Sequence, residues 1–244
     1  MGRLINLKNV IIHPHERVDD LGIAGSIIQD PKGFCFGVDA VFLSDFAKVK
    51  KGETVLDIGT GTGIIPILLS AKTDGRHFTG LELQEKYADM ARRSVEMNGL
   101  EEYIRIDCGD IKNAAEIYPP NCFDVVTVNP PYMAHSGGLL NESDEKAIAR
   151  HEIACSLADI VAVAARLLKT GGRLYVIHRP WRLADLICTL RRVSLEPKVM
   201  QFVQDREGYE PKLVMIEAVD HGRSMLKVMP VQLVRSSDQL DRGS

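Results

Sequence analysis

Four residues, Asn129-Pro130-Pro131-Tyr132, directly follow the apolar run Val125-Val126-Thr127-Val128 and suit chemistry on a planar, conjugated nitrogen. The lone pair of an exocyclic amine or amide nitrogen is delocalised into its ring or carbonyl, so it attacks poorly until something pulls it free. The side-chain oxygen of Asn129 can accept one N–H. The carbonyl of Pro130, directed by two consecutive proline φ angles, can accept the other. Together they drive the nitrogen toward a tetrahedral shape. Tyr132 offers a flat face for a flipped-out base or amide, a contact worth roughly 1–3 kcal/mol per base in single-strand binders. Taken alone, the tetrapeptide reads equally well as a strand-to-loop exit, because Asn and Pro both mark turns.

Some seventy residues upstream, Thr54-Val55-Leu56-Asp57-Ile58-Gly59-Thr60-Gly61-Thr62-Gly63-Ile64-Ile65 reads as a buried strand, a glycine-rich turn and a helix. Gly59, Gly61 and Gly63 let the backbone turn tightly and approach a ligand more closely than a Cβ permits. The spacing G-x-G-x-G places Ile64 where a dinucleotide fingerprint needs its last glycine, so a nucleotide-like cofactor without a pyrophosphate fits better. A second strand, His77 to Glu82, ends in a carboxylate at the separation expected of a residue gripping ribose hydroxyls. The alternative for Glu82 is a helix N-cap or a solvated strand end.

A third strand, Tyr103 to Asp107, leads through Cys108-Gly109 to Asp110, where a carboxylate can accept an adenine amine. The fourth, Phe123 to Val128, delivers Asn129. Ligands of open α/β sheets sit beyond the carboxyl ends of the strands, so these four strands converge the glycines, Glu82, Asp110 and Asn129 on one crevice.

In order and spacing, Asp57 to Gly63, Glu82, Asp110 and Asn129 to Tyr132 resemble the class I S-adenosylmethionine-dependent methyltransferases that modify exocyclic nitrogens. More narrowly, Phe34-Cys35-Phe36-Gly37-Val38-Asp39-Ala40-Val41-Phe42-Leu43-Ser44-Asp45-Phe46-Ala47, with Arg150-His151-Glu152, is similar to the valine-tRNA adenine-N6 methyltransferase family. The resemblance covers roughly 25–219. It implies methylation of N6 of an adenine beside the anticodon, with S-adenosyl-L-methionine as cofactor and no metal. It assigns Asn129, Pro130 and Tyr132 to catalysis. To the cofactor it assigns Phe36, Asp39, Asp57, Gly59, Gly61, Gly63, Glu82, Leu83, Asp110, Ile111 and Asn129, with Asp57 bracing the turn and Phe36 and Asp39 covering the cofactor. One departure is Gly37, where such proteins often carry Ser. The core motif is shared with ribosomal RNA guanine-N2 and protein glutamine methyltransferases, which stay open as alternatives, as does a non-catalytic cofactor- or RNA-binding module.

The rest of the chain agrees. Its 244 residues, 45% hydrophobic, suffice for a substantial core. Alternating strands and helices imply a seven-stranded, Rossmann-like, doubly wound α/β sheet that is mainly parallel. A helix is expected over 153–168, closed by Gly171-Gly172, then a strand over 173–177, a helix over 182–192 and strands over 198–203 and 212–219. The last two strands, joined without a helix, form an antiparallel hairpin. Residues 1–30 read as an appended hairpin or lid, 31–219 as the catalytic domain, and 220–244 as a polar, loosely held tail. The long polar stretch 133–149 suits a loop that orders over substrate. The longest apolar runs fall short of a membrane span and no signal-peptide core is visible, so a cytoplasmic location is expected. Five cysteines without a C-x-x-C pair read as reduced, mostly structural thiols.

The formal charge of −3 argues against unselective RNA coating, yet eight basic residues against two acidic ones lie between Arg166 and Lys198. Such a patch can track phosphates or can be merely solvated helix faces. Trp181 either stacks on RNA or is a partly buried aromatic. His13-Pro14-His15 resembles a metal pair only superficially. His151 and His178 are candidate bases, but transfer to an amine needs none, and Arg150-His151-Glu152 reads as a brace for the following helix.

Overall fold

The computed structural model describes residues 9–33, 35–130 and 156–234. An antiparallel hairpin comes first, β1 (Arg17–Asp20) against β2 (Ser26–Gln29). The helix α1 (Val38–Phe46) precedes an alternating series: β3 (Thr54–Ile58), α2 (Ile64–Lys72), β4 (His77–Glu82), α3 (Glu85–Met97), β5 (Ile104–Cys108), the short α4 (Ala114–Ile117) and β6 (Phe123–Val128). After the undescribed stretch come α5 (Leu157–Leu167), β7 (Leu168–His178), α6 (Leu183–Arg192), β8 (Leu195–Gln204) and β9 (Leu213–Asp220), with two-residue strands β10 (Lys227–Val228) and β11 (Gln232–Leu233).

The expected seven strands form one sheet in the order β8-β9-β7-β6-β3-β4-β5. The pairs β5-β4, β4-β3, β3-β6 and β6-β7 are parallel. Strand β9 runs antiparallel between β7 and β8, as the helix-free connection required. The order reverses between β3 and β6, and that switch point opens a crevice beyond the carboxyl ends of the two strands.

Alternation within each strand builds a core on each face of the sheet. Val55, Phe78, Val125 and Tyr175 face α1, α2 and α3, whereas Leu56, Leu81, Val126 and Leu174 face α4, α5 and α6. The strands are therefore near-continuous apolar runs, buried on both sides, as a parallel sheet demands. Helix α5 begins with a full capping box: Ser156 accepts from the Asp159 N–H and the Asp159 carboxylate accepts from the Ser156 N–H.

Three expectations change. The helix ends at Leu167, and Gly171, at φ 75°, instead turns the chain where it bulges out between the pairs Phe123–Leu168 and Val125–Arg173. The tail is not loose over 227–233, because β10 and β11 pair parallel with β8. Cys108 and Cys188 are exposed rather than structural, and Cys155 lies outside the described residues.

The N-terminal hairpin packs on α3. Ile28 N–H donates to Ser94 Oγ, and Asn98 bonds both the N–H and the carbonyl of Ser26. Arg93 grips the Glu16 carboxylate through both terminal nitrogens at 2.7 Å. That guanidinium holds the Glu16 carboxyl below its ordinary value of 4.5. Because its folded value is lowered, Glu16 contributes stability above pH 4.5 and loses it as pH falls through the folded value. Arg93→Ala should cost about 1–2 kcal/mol at pH 7, measured by urea unfolding, and the difference should shrink below pH 4.5; an unchanged midpoint would mean that the hairpin docks without this pair.

Candidate functional site

The turn after β3 is built from three left-handed residues, Gly59, Gly61 and Gly63, at φ 71°, 56° and 89°. A side chain at Gly63 would also press on α3, since an added Cβ would sit 3.2 Å from Ala91 Cβ. The turn is stitched to the neighbouring strand. Gly59 N–H and Thr60 N–H donate to the Leu81 carbonyl at 2.9 and 3.1 Å, and Gly61 N–H donates to Glu82 Oε2 at 2.9 Å.

Glu82 is thus neither solvated nor a simple cap. It is buried, its Oε1 accepts from Gln84 N–H at 2.9 Å, and its backbone carbonyl accepts from Gly109 N–H at 2.9 Å. One residue joins the loops after β3, β4 and β5. Leu83, beside it, is 45% exposed at the mouth of the crevice. Asp110 caps the short 3-10 turn Ile111–Asn113 by accepting from Lys112 N–H at 2.9 Å, which fixes its carboxylate at the same edge, and Ile111 is half-buried next to it.

Across the switch point Asp57 lies level with Thr127 in adjacent strands, and the Thr127 hydroxyl donates to Asp57 Oδ1 at 2.7 Å. Both side chains are buried. Asp57 Oδ2, Thr60 Oγ1 and Thr62 Oγ1 lie buried close to this bond in sequence, without a hydrogen bond of good geometry among the described residues. Burial pushes the Asp57 carboxyl up to about 7, against the opposing effect of the Thr127 hydroxyl. Two residues beyond Thr127, Asn129 is half-buried and Pro130 buried at the end of β6.

Phe36 and Asp39 sit at the entry to α1. Phe36 N–H donates to the buried Gln29 side chain at 2.8 Å, and Asp39 Oδ1 accepts from Ala40 N–H. A Cβ at Gly37 would lie 2.5 Å from Asp39 Oδ1, so the Asp39 carboxylate occupies the space of the side chain that Gly37 lacks. Tyr132, Pro131, the loop 133–149 and Arg150-His151-Glu152 lie outside the described residues, as does Phe34.

The basic run does not make one surface. Arg173 pairs with Glu53, Lys169 with Asp124 at 2.7 Å and Arg191 with Glu196 at 3.1 Å. Arg173 is largely buried in its pair, whereas Lys169 and Arg191 pair at the surface. His178 is buried and neutral, its value pulled down to about 4 by burial, with Arg182 and Arg179 adding to the effect. The rings of His13 and His15 stack 5.9 Å apart. Among the described residues no group of three or more His, Cys, Asp or Glu is placed to hold a metal ion.

Two residues escaped sequence reasoning. Thr127, the one polar residue in the apolar run Val125-Val126-Thr127-Val128, was a visible signal. So was Gly80 inside β4: an added Cβ would meet Thr60 Cγ2 at 2.7 Å and Ile106 Cδ1 at 2.8 Å, so the glycine turn needs that gap.

Because its folded value is raised, Asp57 favours folding below the unfolded value of 3.8, and this contribution is lost as pH rises through about 7. Asp57→Asn should therefore stabilise the protein at pH 8, by roughly 1–3 kcal/mol, and flatten the stability profile between the two values. Denaturant midpoints against pH measure this, and a variant less stable at pH 8 would show that the ionised carboxylate is needed.

A methyltransferase-domain family model matches residues 49–222. The chain is 28% identical over 191 residues to the tRNA1(Val) (adenine(37)-N6)-methyltransferase of Phocaeicola vulgatus, covering 78% of this chain and 79% of that protein. Its fold is shared with a predicted O-methyltransferase from Agrobacterium tumefaciens at TM-score 0.64 and 20% identity, covering 80% of this chain and 86% of the other. It is also shared with geranyl diphosphate C-methyltransferase from Streptomyces coelicolor, solved with S-adenosyl-L-homocysteine, at TM-score 0.55 and 15% identity, covering 74% and 78%. The match across most of the chain, on a sheet of this strand order with a glycine turn at its switch point, shows that the chain belongs to the methyltransferase-domain family.

Proposed function

We propose that this protein transfers a methyl group from S-adenosyl-L-methionine to N6 of an adenine in a tRNA anticodon loop, acting in the cytoplasm. The observation that carries the reading is the convergence of Gly59 to Gly63, Glu82, Asp110 and Asn129 at one edge of four parallel strands around the switch point. The relative named for adenine-N6 methylation of tRNA supplies the acceptor. The same proposal divides the chain into an extension 1–30 that braces α3, a catalytic domain 31–219 and a tail 220–244.

The residues present fit a phosphate-free nucleoside cofactor. The glycine turn is a cradle that side chains would fill, and Glu82 is held rigidly at its rim by two backbone N–H groups, with lone pairs to spare for ribose hydroxyls. Asp110 and Ile111 would hold the adenine, with Leu83 against it. Asp57, buried and bonded to Thr127, would act as a brace rather than a direct ligand. Phe36 and Asp39 would cover the site. When bound, the cofactor supplies an electrophilic methyl group.

The chain's own contribution is to position and polarise. Asn129 Oδ1 accepts one N–H of the target amine and the Pro130 carbonyl the other, so the nitrogen lone pair points into the crevice. Tyr132 stacks on the extruded base, which costs little to extrude from a single-stranded loop. The methylated nitrogen is acidic enough to lose its proton to water, so neutral His178 need not act as a base. Orientation provides most of the acceleration.

With labelled cofactor and unmodified tRNA, label should appear in N6-methyladenosine. Asn129→Ala should lower kcat by about 100-fold or more, with cofactor binding retained; label in N2-methylguanosine or protein glutamine instead would replace the acceptor. Glu82→Ala should weaken cofactor binding about tenfold or more by calorimetry, and equal affinity would remove Glu82 from the ribose site.

A further inference from the structure

Strand β7 lies directly beside β6 and parallel to it, with Val128 level with Val176, so β7 runs two residues further, to His178, before its own loop leaves the same edge of the sheet. After β6 comes Asn129. β7 ends in His178, and Arg179-Pro180-Trp181-Arg182 follows, in which Pro180–Arg182 forms a 3-10 turn. A large aromatic and two guanidinium groups are thereby brought to the reacting edge of the sheet.

Their arrangement is specific. Trp181 is 44% exposed, unusual for an indole beside a core strand. The guanidinium of Arg182 lies over its ring, 5.8 Å from the centroid. The buried ring of His178 meets it edge-on at 6.3 Å, and His178 Nδ1 accepts the Arg179 N–H at 2.8 Å. Arg179 is anchored by a contact to the Lys212 carbonyl at 3.4 Å, and Arg182, its side chain 22% exposed, by Asp185 at 3.2 Å, so both cations are oriented beside the indole. The indole is propped from below by a neutral imidazole and flanked by positive charge. That is the composition of a single-strand stacking platform: a flat face for a base, with cations for the adjacent phosphates.

We propose that Trp181, with Arg179 and Arg182, forms a binding site for single-stranded RNA, on which a nucleotide flanking the methylated base stacks while the two arginines neutralise its phosphates. The inference rests on the RNA reading above and deepens it, because it locates substrate recognition on the loop after β7 rather than on the basic run as a whole.

Trp181 is the only tryptophan in the chain, so its fluorescence reports this contact alone. The Asn129→Ala protein, which cannot turn over, is titrated with an unmodified anticodon stem-loop RNA, with the corresponding duplex and with a glutamine-bearing peptide. Saturable quenching by the stem-loop, weaker by the duplex and absent with the peptide, is the expected result. In otherwise wild-type protein, Trp181→Ala should raise KM for the stem-loop about tenfold with little change in kcat or cofactor affinity, and Trp181→Phe should recover most of the loss. Arg182→Gln should reduce the slope of log affinity against log salt by about one.

Methylation of tRNA by the wild type with no quenching and an unchanged KM for Trp181→Ala would overturn the platform and leave the proposed function standing. Quenching by the stem-loop without any methylation would support the platform and overturn the adenine-N6 reading. Quenching by the peptide alone would overturn both.

Discussion

The hydrogen bond from Thr127 to Asp57 joins the two halves of the sheet where their order reverses. It ties the strand that ends in the glycine turn to the strand that ends in Asn129. Both loops leave the sheet two residues or fewer beyond this bond, so any slip between β3 and β6 would move the cradle relative to the amide beside it. A one-residue slip would also exchange the Val125 and Val126 faces between the two cores. Register and geometry are therefore fixed by the same constraint. Keeping a carboxyl buried there at about neutral affinity for its proton costs stability, a cost set against alignment of the crevice.

Electrostatics follow a similar division. Part of the basic run between Arg166 and Lys198 serves the fold: Arg173 with Glu53 and Lys169 with Asp124 tie β7 to the segments before β3 and around β6. Linear charge counts overstate a nucleic-acid surface because a guanidinium buried against a carboxylate, as Arg173 is against Glu53, has less to offer a phosphate. What remains at the reacting edge is the short segment after β7, where charge and an aromatic face occur together.

The mainly parallel sheet and its antiparallel ending were legible in the sequence, because strands alternating with helices build a parallel sheet and the helix-free link between β8 and β9 pointed to a hairpin. So was the convergence of Gly59, Glu82, Asp110 and Asn129, since chain order and strand parity determine which ends meet. The bulge at Gly171 and the pairing of β10 and β11 were not. A glycine after a helical run cannot by itself distinguish a helix end from a bulge, and two-residue strands carry too few side chains to show a period. The bond between Thr127 and Asp57 was half visible: a lone threonine among valines marks a polar demand, but only the β3–β6 register names its partner.

Glu82 shows how these constraints produce a preorganised site. In the ribose-binding role proposed for it, a carboxylate free to rotate would lose that freedom on gripping a diol, whereas one already held by Gly61 N–H and Gln84 N–H has lost it on folding. Both bonds come from backbone, so the same groups that hold the carboxylate also hold the glycine turn and the entry to α3. Gly80, by leaving space for Thr60, allows the turn to lie close enough for the Gly61 contact. A rim residue, a mid-strand glycine and a buried cross-strand bond thus act on one quantity: the position of the turn relative to Asn129, the alignment on which the proposed transfer depends.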